Sequence, residues 1–421
     1  MKLNQDDQIL IIGGGIAGMT LAIALIELGF TQVRIFEKNL TPEVPKVPIN
    51  LGTNVLRILD EFQLAEQGWQ IGIPWNQMSI RTKNGKVLND LDFSRLVITK
   101  EHFPMTANFA RLHRILWEKL PADIFTYGEE FISFTQNDKE VEAHFLSGKS
   151  VKGNLLIGTD GFGSRVRLQM LGSSEVRTFH RTSYEGIIDL GKLESTNFEA
   201  FHKPFIQYHD KSASFSAAPV SSDQIGVSFS IPYDGDTPRS VSTIKELLPG
   251  MFEGWVEPIS EIARIAAQGN LFAWEEKDHK PIKVWSQNRV ILTGDAAHSS
   301  FPFMGIGMSL TMGSSVYLAK MLHENMKKVE KGIKLFEKNR SKATAEFNRF
   351  AERNASMFNW KQPLAGTLRN MVYQFLPDGY TESPVIKMMN TTYMGTAVVE
   401  TSSLSEKDPD SASTQNLPPN E

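Results

Sequence analysis

Residues 8–37 restrict the fold more than any other stretch of the chain. Residues 8–12 (QILII) form a continuous apolar run, the pattern of a parallel strand buried on both faces. Gly13-Gly14-Gly15-Ile16-Ala17-Gly18 follows at once. A helical run then closes at Gly29 as its C-cap, and a second strand over residues 32–36 ends in Glu37. Gly13 permits a tight turn, Gly15 lets a pyrophosphate approach the backbone, and Gly18 lets the helix pack on the strand. The helix N-terminus offers free amides and the positive end of its dipole to phosphate. Glu37 can accept hydrogen bonds from ribose hydroxyls and disfavours a 2′-phosphate, so FAD or NAD is the dinucleotide expected here. Ile16, Ala17 and Lys38 flank the same site.

Two later segments repeat the strand-then-glycine grammar. Residues 154–167 (NLLIGTDGFGSRVR) carry Asp160-Gly161, Ser164 and Arg167 after an apolar strand. Residues 289–319 carry another strand, then Gly294-Asp295, Pro302, Gly305, Gly307 and Met308 at the entry to a helix. Three such corners cannot all serve one turn. They can converge at the carboxyl edge of one sheet, where an extended ligand of the length of FAD lies across it.

Between about residues 183 and 274 the pattern changes to period two, in runs such as ASFSAAP and QIGVSFSIP with few helical signals. That reads as an antiparallel sheet with one face buried. The fold class expected is α/β, with a mainly antiparallel β-sheet domain inserted into a nucleotide-binding domain and helices at the C-terminus. The FAD-binding domain is assigned residues 1–75, 104–175 and 281–345, and the substrate domain residues 76–103 and 176–280. C-terminal helices are assigned 346–400 and a disordered tail 401–421, which is Ser, Pro, Asp and Asn with little to bury.

Composition removes several alternatives. A net charge of −4 leaves no electrostatic footprint for nucleic acid. The absence of cysteine excludes a disulfide scaffold, thiolate-held metals and any dithiol redox couple, and with it the disulfide reductases that share the first fingerprint. Neither HExxH nor GxSxG occurs, and no metal site is expected. No run of 18 apolar residues and no secretory signal are found, which gives a cytoplasmic expectation without a membrane span. The Lys-rich stretch 326–342 has the spacing of a solvated helix face.

Taken together, GGGIAG with Glu37, DGFGSRVR and GDAAHSSFPFMGIG resemble the class A flavoprotein monooxygenases, the p-hydroxybenzoate and salicylate hydroxylase family, over roughly residues 6 to 375. The resemblance implies a Rossmann-like FAD-binding domain of the GR2 type and a non-covalent FAD. It also implies NAD(P)H as transient reductant, and hydroxylation of a mostly apolar aromatic or polycyclic small molecule through a flavin C4a-hydroperoxide. Carried over by motif, Asp295 would hydrogen-bond the ribityl chain, and Pro302, Gly305, Gly307 and Met308 would lie along the isoalloxazine. Asp160 and Arg167 would belong to a motif tied to both FAD and NAD(P)H. Departures are Phe109 where an arginine is usual, leaving Arg111 as the nearby candidate for phosphate, together with Ser309, Ser314-Ser315, and Glu185 where many relatives place an arginine.

For the substrate pocket, Phe301, Phe303 and Met304 are candidates for an apolar wall that excludes water. Glu185, facing that pocket, would favour a cationic or neutral substrate. No side chain is assigned as catalytic, since the flavin carries the chemistry. Tyr184, His180, Tyr208 and His209 are candidates for a base on the sheet, and His298 reads as a packing residue of its motif. Expected partners are the substrate, O2 and NAD(P)H, the protein acting as a monomer or homodimer. Residues 358–377 resemble a segment that packs on the substrate domain, with a peripheral membrane contact as the rival reading. A reductase or dehydrogenase of the same fold and a non-catalytic flavin-binding protein are the alternative functions.

Overall fold

The structure, a computed structural model, describes residues 1–92, 104–172, 175–194, 205–210, 213–233, 235, 238–300 and 307–358. Along the chain, the elements that position the site begin with β1 (Ile9–Ile12), α1 (Ile16–Glu27), β2 (Val33–Glu37), β3 (Gln77–Thr82) and β4 (Val87–Asp92). They continue with α2 (Phe109–Lys119), β5 (Phe125–Tyr127), β6 (Leu155–Gly158) and α3 (Arg165–Leu171). Next come β7 (Val176–Asp189), β8 (Phe205–His209), β9 (Ser214–Pro219), β10 (Gln224–Pro232), α4 (Val241–Met251), α5 (Ile259–Gln268) and β11 (Phe272–His279). The last are β12 (Ser286–Gln287), β13 (Val290–Leu292), α6 (Gly307–Glu324) and α7 (Val329–Phe358).

One sheet has the order β12-β13-β6-β1-β2-β5. Its five longer-range strands run parallel, so the ends of β1, β6 and β13 stand side by side, with Ile12 level with Gly158 and Gly158 level with Leu292. The three glycine-bearing segments therefore leave the same sheet edge at adjacent strands. β1 and β6 are wholly buried, as continuous apolar runs require when helices cover both faces. α1 is buried from Ile16 through Leu25 rather than along one stripe, because it lies between the sheet, α2 and α6.

The second sheet has seven strands in the order β11-β7-β10-β9-β8-β3-β4, antiparallel except where β8 meets β3. Ser-Phe-Ser occurs in both β9 and β10, and the strands pair so that Phe215 faces Phe229 while Ser214 and Ser216 face Ser230 and Ser228. Alternation sends the phenylalanines to one face and the serines to the other. The phenylalanine face is closed by α4 and α5, which the period-two reading of this region did not contain. Ile244, Leu248, Ile259, Ile262, Ala263 and Ala266 bury there, with Phe252 5.0 Å from Phe229 between ring centroids. Full burial of a side chain such as Phe229 contributes about 1.5–3 kcal/mol, and this second core backs the sheet on the face away from the serines.

No helix among the described residues is long and apolar enough to cross a membrane. The calls on residues 301–306 and on everything from 359 onward, including the tail and most of the C-terminal helices, lie outside the described residues.

Candidate FAD and substrate site

The turn after β1 is built by contact. Gly13 has φ +107°, and a Cβ there would lie 2.6 Å from the Thr159 carbonyl oxygen. A Cβ on Gly18 would lie 2.1 Å from the Gly13 oxygen and 2.9 Å from Thr159 Oγ1. Thr159 locks this close approach by donating to the carbonyls of Ile12 and Gly13, both at 2.9 Å. Gly15 differs: nothing lies within 4 Å of its missing Cβ, and it lines a cavity with Ile16 and Ala17. Two glycines serve the protein's own packing, and the third leaves backbone bare toward a ligand. Glu37 is fixed at the end of β2, its Oε2 accepting from Gly14 N–H at 2.7 Å and its Oε1 from Asn39 N–H at 2.9 Å. His113, buried on α2, is held below the usual histidine range by burial, with Glu37 and the Gly14 backbone pulling the other way.

The second corner is a brace. Asp160 caps α3, its Oδ1 accepting from Ser164 Oγ at 2.6 Å and its Oδ2 from the Arg165 and Val166 amides at 2.8 and 3.2 Å. Ser164 Oγ in turn accepts from Arg167 N–H at 2.9 Å. Ser164→Ala is expected to lower stability by about 1 kcal/mol, the ordinary cost of a lost helix cap, measurable by urea denaturation. Arg167 is buried and reaches across to the third corner. It donates to the Asp295 and Ala296 carbonyls at 3.2 and 3.0 Å, to the Phe162 carbonyl, and toward His279 Nε2. Burial lowers its pKa, opposed by Asp160 and Asp295. Asp295 itself opens onto the cavity. The protein around it pushes its carboxyl upward, while the Thr311 hydroxyl, donating at 3.4 Å, and Arg167 oppose the shift.

All this borders one cavity of about 860 Å³, within the ordinary range of ligand pockets. One wall is the corner set: Gly15, Ile16, Ala17, Asp295, and the first turn of α6 at Gly307, Met308 and Thr311. The facing wall is the serine face of the seven-stranded sheet. There Glu276 is buried, its Oε1 accepting from Ser183 Oγ at 2.8 Å and from Ser230 Oγ. Arg181 lies 3.8 Å from the other oxygen of Glu276 and donates to the Ser230 hydroxyl and carbonyl at 2.9 and 2.7 Å. Glu185 lies on the same wall, accepting from Ser228 Oγ at 3.4 Å. Phe162, stacked on His279 at 4.2 Å, and Phe109 add apolar lining.

Of the residues singled out from sequence, Gly15, Ile16, Ala17, Asp295, Gly307, Met308 and Glu185 come together on this cavity, and Gly13, Gly18 and Glu37 shape its turn. Lys38 and Arg111 are exposed and do not line it, and Asp160 acts behind it as the α3 cap. Phe301, Pro302, Phe303, Met304 and Gly305 fall outside the described residues.

The sheet candidates separate by strand parity. Tyr184 and Tyr208 point to the opposite face, Tyr184 donating to the Arg239 carbonyl at 2.8 Å and Tyr208 packing on Phe215. His180 is exposed beside Tyr233. Only His209 of the four reaches the cavity. His298 is buried against Trp285 and driven down to about 3 by burial, then by Arg340, which keeps it neutral. Sequence reasoning missed Phe162, Arg181, Glu276 and the serine wall. Their one sequence signal was the Ser-Phe-Ser repeat, which shows a polar face without showing that the face looks onto a cavity.

The fold pairs a dinucleotide-binding sheet with an antiparallel one across a shared cavity, and the family match and relatives place the chain in the class of FAD-dependent monooxygenases. Within it, the chain belongs to the family described as FAD binding domain, whose model matches residues 6–351. It is 25% identical over 363 residues to the 6-hydroxynicotinate 3-monooxygenase of Pseudomonas fluorescens, covering 84% of this chain and 92% of that protein. It is 26% identical over 388 residues to the chloroplastic zeaxanthin epoxidase of an Oncidium hybrid cultivar, covering 85% of this chain but only 56% of the epoxidase. Among solved structures, Klebsiella pneumoniae HpxO complexed with FAD and uric acid superposes with a TM-score of 0.81 at 21% identity, covering 93% of this chain and 98% of that one.

Proposed function

We propose that this monooxygenase takes two electrons from NAD(P)H and places one atom of O2 in an aromatic or heterocyclic small molecule, the other atom leaving as water. The substrate lies against the serine face of the sheet. The observation that carries this reading is that the corner residues suited to a dinucleotide and the polar sheet wall line one and the same cavity. The donor set fits FAD: bare backbone at Gly15, amides at the starts of α1 and α6 for anionic groups, Glu37 for ribose hydroxyls and Asp295 for a polyol chain. FAD, when bound, supplies the electron carriage and oxygen activation. The chain supplies position and dryness, with Phe109 and Phe162 limiting water between the walls. Action in the cytoplasm is part of this proposal, because NAD(P)H is consumed and no cysteine calls for an oxidising compartment.

The test is an anaerobic reduction screen on the purified holoprotein. Yellow protein bleached by NADPH or NADH faster in the presence of one member of an aromatic and heterocyclic library, followed in air by an oxygenated product, is the expected result. Reduction with no oxygenated product from any member would make the protein a reductase, and a preparation that never takes up FAD would end the reading.

A further inference from the structure

We propose that Glu185 reads the substrate, and that the site takes a molecule carrying a protonated amine, which Glu185 meets as a carboxylate. This rests on the monooxygenase reading above. The argument compares two glutamates on one wall. Glu276 is committed to the scaffold: it is buried, two serine hydroxyls donate to one of its oxygens, and Arg181 attends the other. Glu185 has only the long 3.4 Å bond from Ser228 Oγ and a donor in the Trp274 indole, and it opens onto the cavity. It therefore keeps acceptor capacity toward whatever enters.

The charges around it decide the sign of the ligand. Arg181 on β7 is buried and bound to Ser230 and Glu276, so it does not greet an anion. On β11, Glu275 and Lys277 pair with each other at 2.6 Å, and Asp295 faces the sheet from the opposite wall. His209 on β8 is the remaining titratable group lining the cavity among the described residues, and β10 presents the Ser228 hydroxyl toward Glu185. Among the described residues lining the cavity, Arg181 and Lys277 are both paired with carboxylates, so a substrate carboxylate would meet Glu185 and Glu276 without an unpaired Lys or Arg. An ammonium gains Coulomb energy from Glu185 and from Glu276 behind it, in surroundings where such attraction exceeds its value in water.

Burial first, and then the charge of Glu276, push the Glu185 carboxyl up to about 8. Near neutral pH the free site therefore holds Glu185 protonated, and an entering ammonium drives that proton off. Binding of a cation releases about one proton near pH 7, and affinity rises about tenfold per pH unit up to about 8, then levels while the amine keeps its charge. A neutral analogue has neither dependence.

The experiment uses holoprotein whose FAD content is established from its visible spectrum. Three bicyclic probes of one shape are titrated: tryptamine, 3-ethylindole and indole-3-propionate. Dissociation constants come from flavin difference spectra, and proton release from calorimetry in buffers of different ionisation heat. Tryptamine is expected to bind at least about tenfold more tightly than the other two and to release its proton. Glu185→Gln should abolish both the preference and the release. Glu276→Gln should move the midpoint of the pH profile downward, which a purely structural Glu185 would not produce. Equal affinities, no tryptamine binding, or a preference that survives in Glu185→Gln overturns the inference. The proton count on the unmodified protein needs no variant to fold. Protein that refuses FAD defeats the parent reading, whereas FAD-loaded protein without cation preference defeats this one alone.

Discussion

Arg167→Met is expected to lower folding stability by about 3 kcal/mol or more and to yield protein that loses FAD on gel filtration, because each orphaned buried acceptor costs about 1–3 kcal/mol. The guanidinium is buried and donates to the carbonyls of Phe162, Asp295 and Ala296, with His279 as a further partner. Methionine fills much of the volume but returns no donor, so the Asp295 and Ala296 carbonyls lose this partner and the Phe162 carbonyl keeps only His279 Nε2 at 3.0 Å. The damage is also positional. Arg167 ties the corner after β6 to the corner after β13, and Asp295 sits at the second of these. Arg167→Lys is expected to rescue little, since one ammonium cannot reproduce a planar fork with several fixed donors. Urea denaturation followed by fluorescence, with flavin content measured on the same samples, checks both parts. Loss of FAD without loss of stability would mean that Arg167 touches the cofactor rather than bracing its site.

How far the sequence foretold this site depends on how local each cause is. The turn at Gly13, Gly15 and Gly18 was legible because strand, glycines, helix and Glu37 occupy 30 consecutive residues and each obeys a steric rule. Convergence of the three corners followed from their common position at strand ends. The four partners of Arg167 lie at 162, 279, 295 and 296, and no spacing rule links those numbers. Alternation in β9 and β10 revealed two faces, but a serine face toward solvent and one toward a cavity have the same period. Parity then separated Glu185 from Tyr184, a distinction available in principle once Phe215 and Phe229 are placed in the core. α4 and α5 escaped notice because their apolar stripes are short and α4 contains Pro249, a residue that argues against a helix interior.

The glycines of the first turn should respond to alanine in opposite ways, and the contrast separates fold from binding. Gly18→Ala puts a methyl group 2.1 Å from the backbone oxygen of Gly13, closer than any real contact, on a helix pinned between the sheet and α6. Neither side is a flexible side chain that can swing away. The helix must retreat from the turn, at about 3 kcal/mol by the usual cost of overpacking, and the amides aimed at the phosphates retreat with it. FAD affinity should then fall about a hundredfold or more, since about 2.8 kcal/mol corresponds to two decades. Gly15→Ala meets no protein atom within 4 Å, and the native backbone there, φ −75° and ψ −174°, suits alanine. Its stability should stay within about 0.5 kcal/mol of the parent. Its methyl group instead enters the space left for a ligand, so FAD binding weakens while the melting curve of the apoprotein does not move. Thermal melts of the apoproteins together with FAD titrations read the two quantities separately. A Gly15→Ala protein that binds FAD as tightly as the parent would place the pyrophosphate elsewhere, and the three-corner site with it.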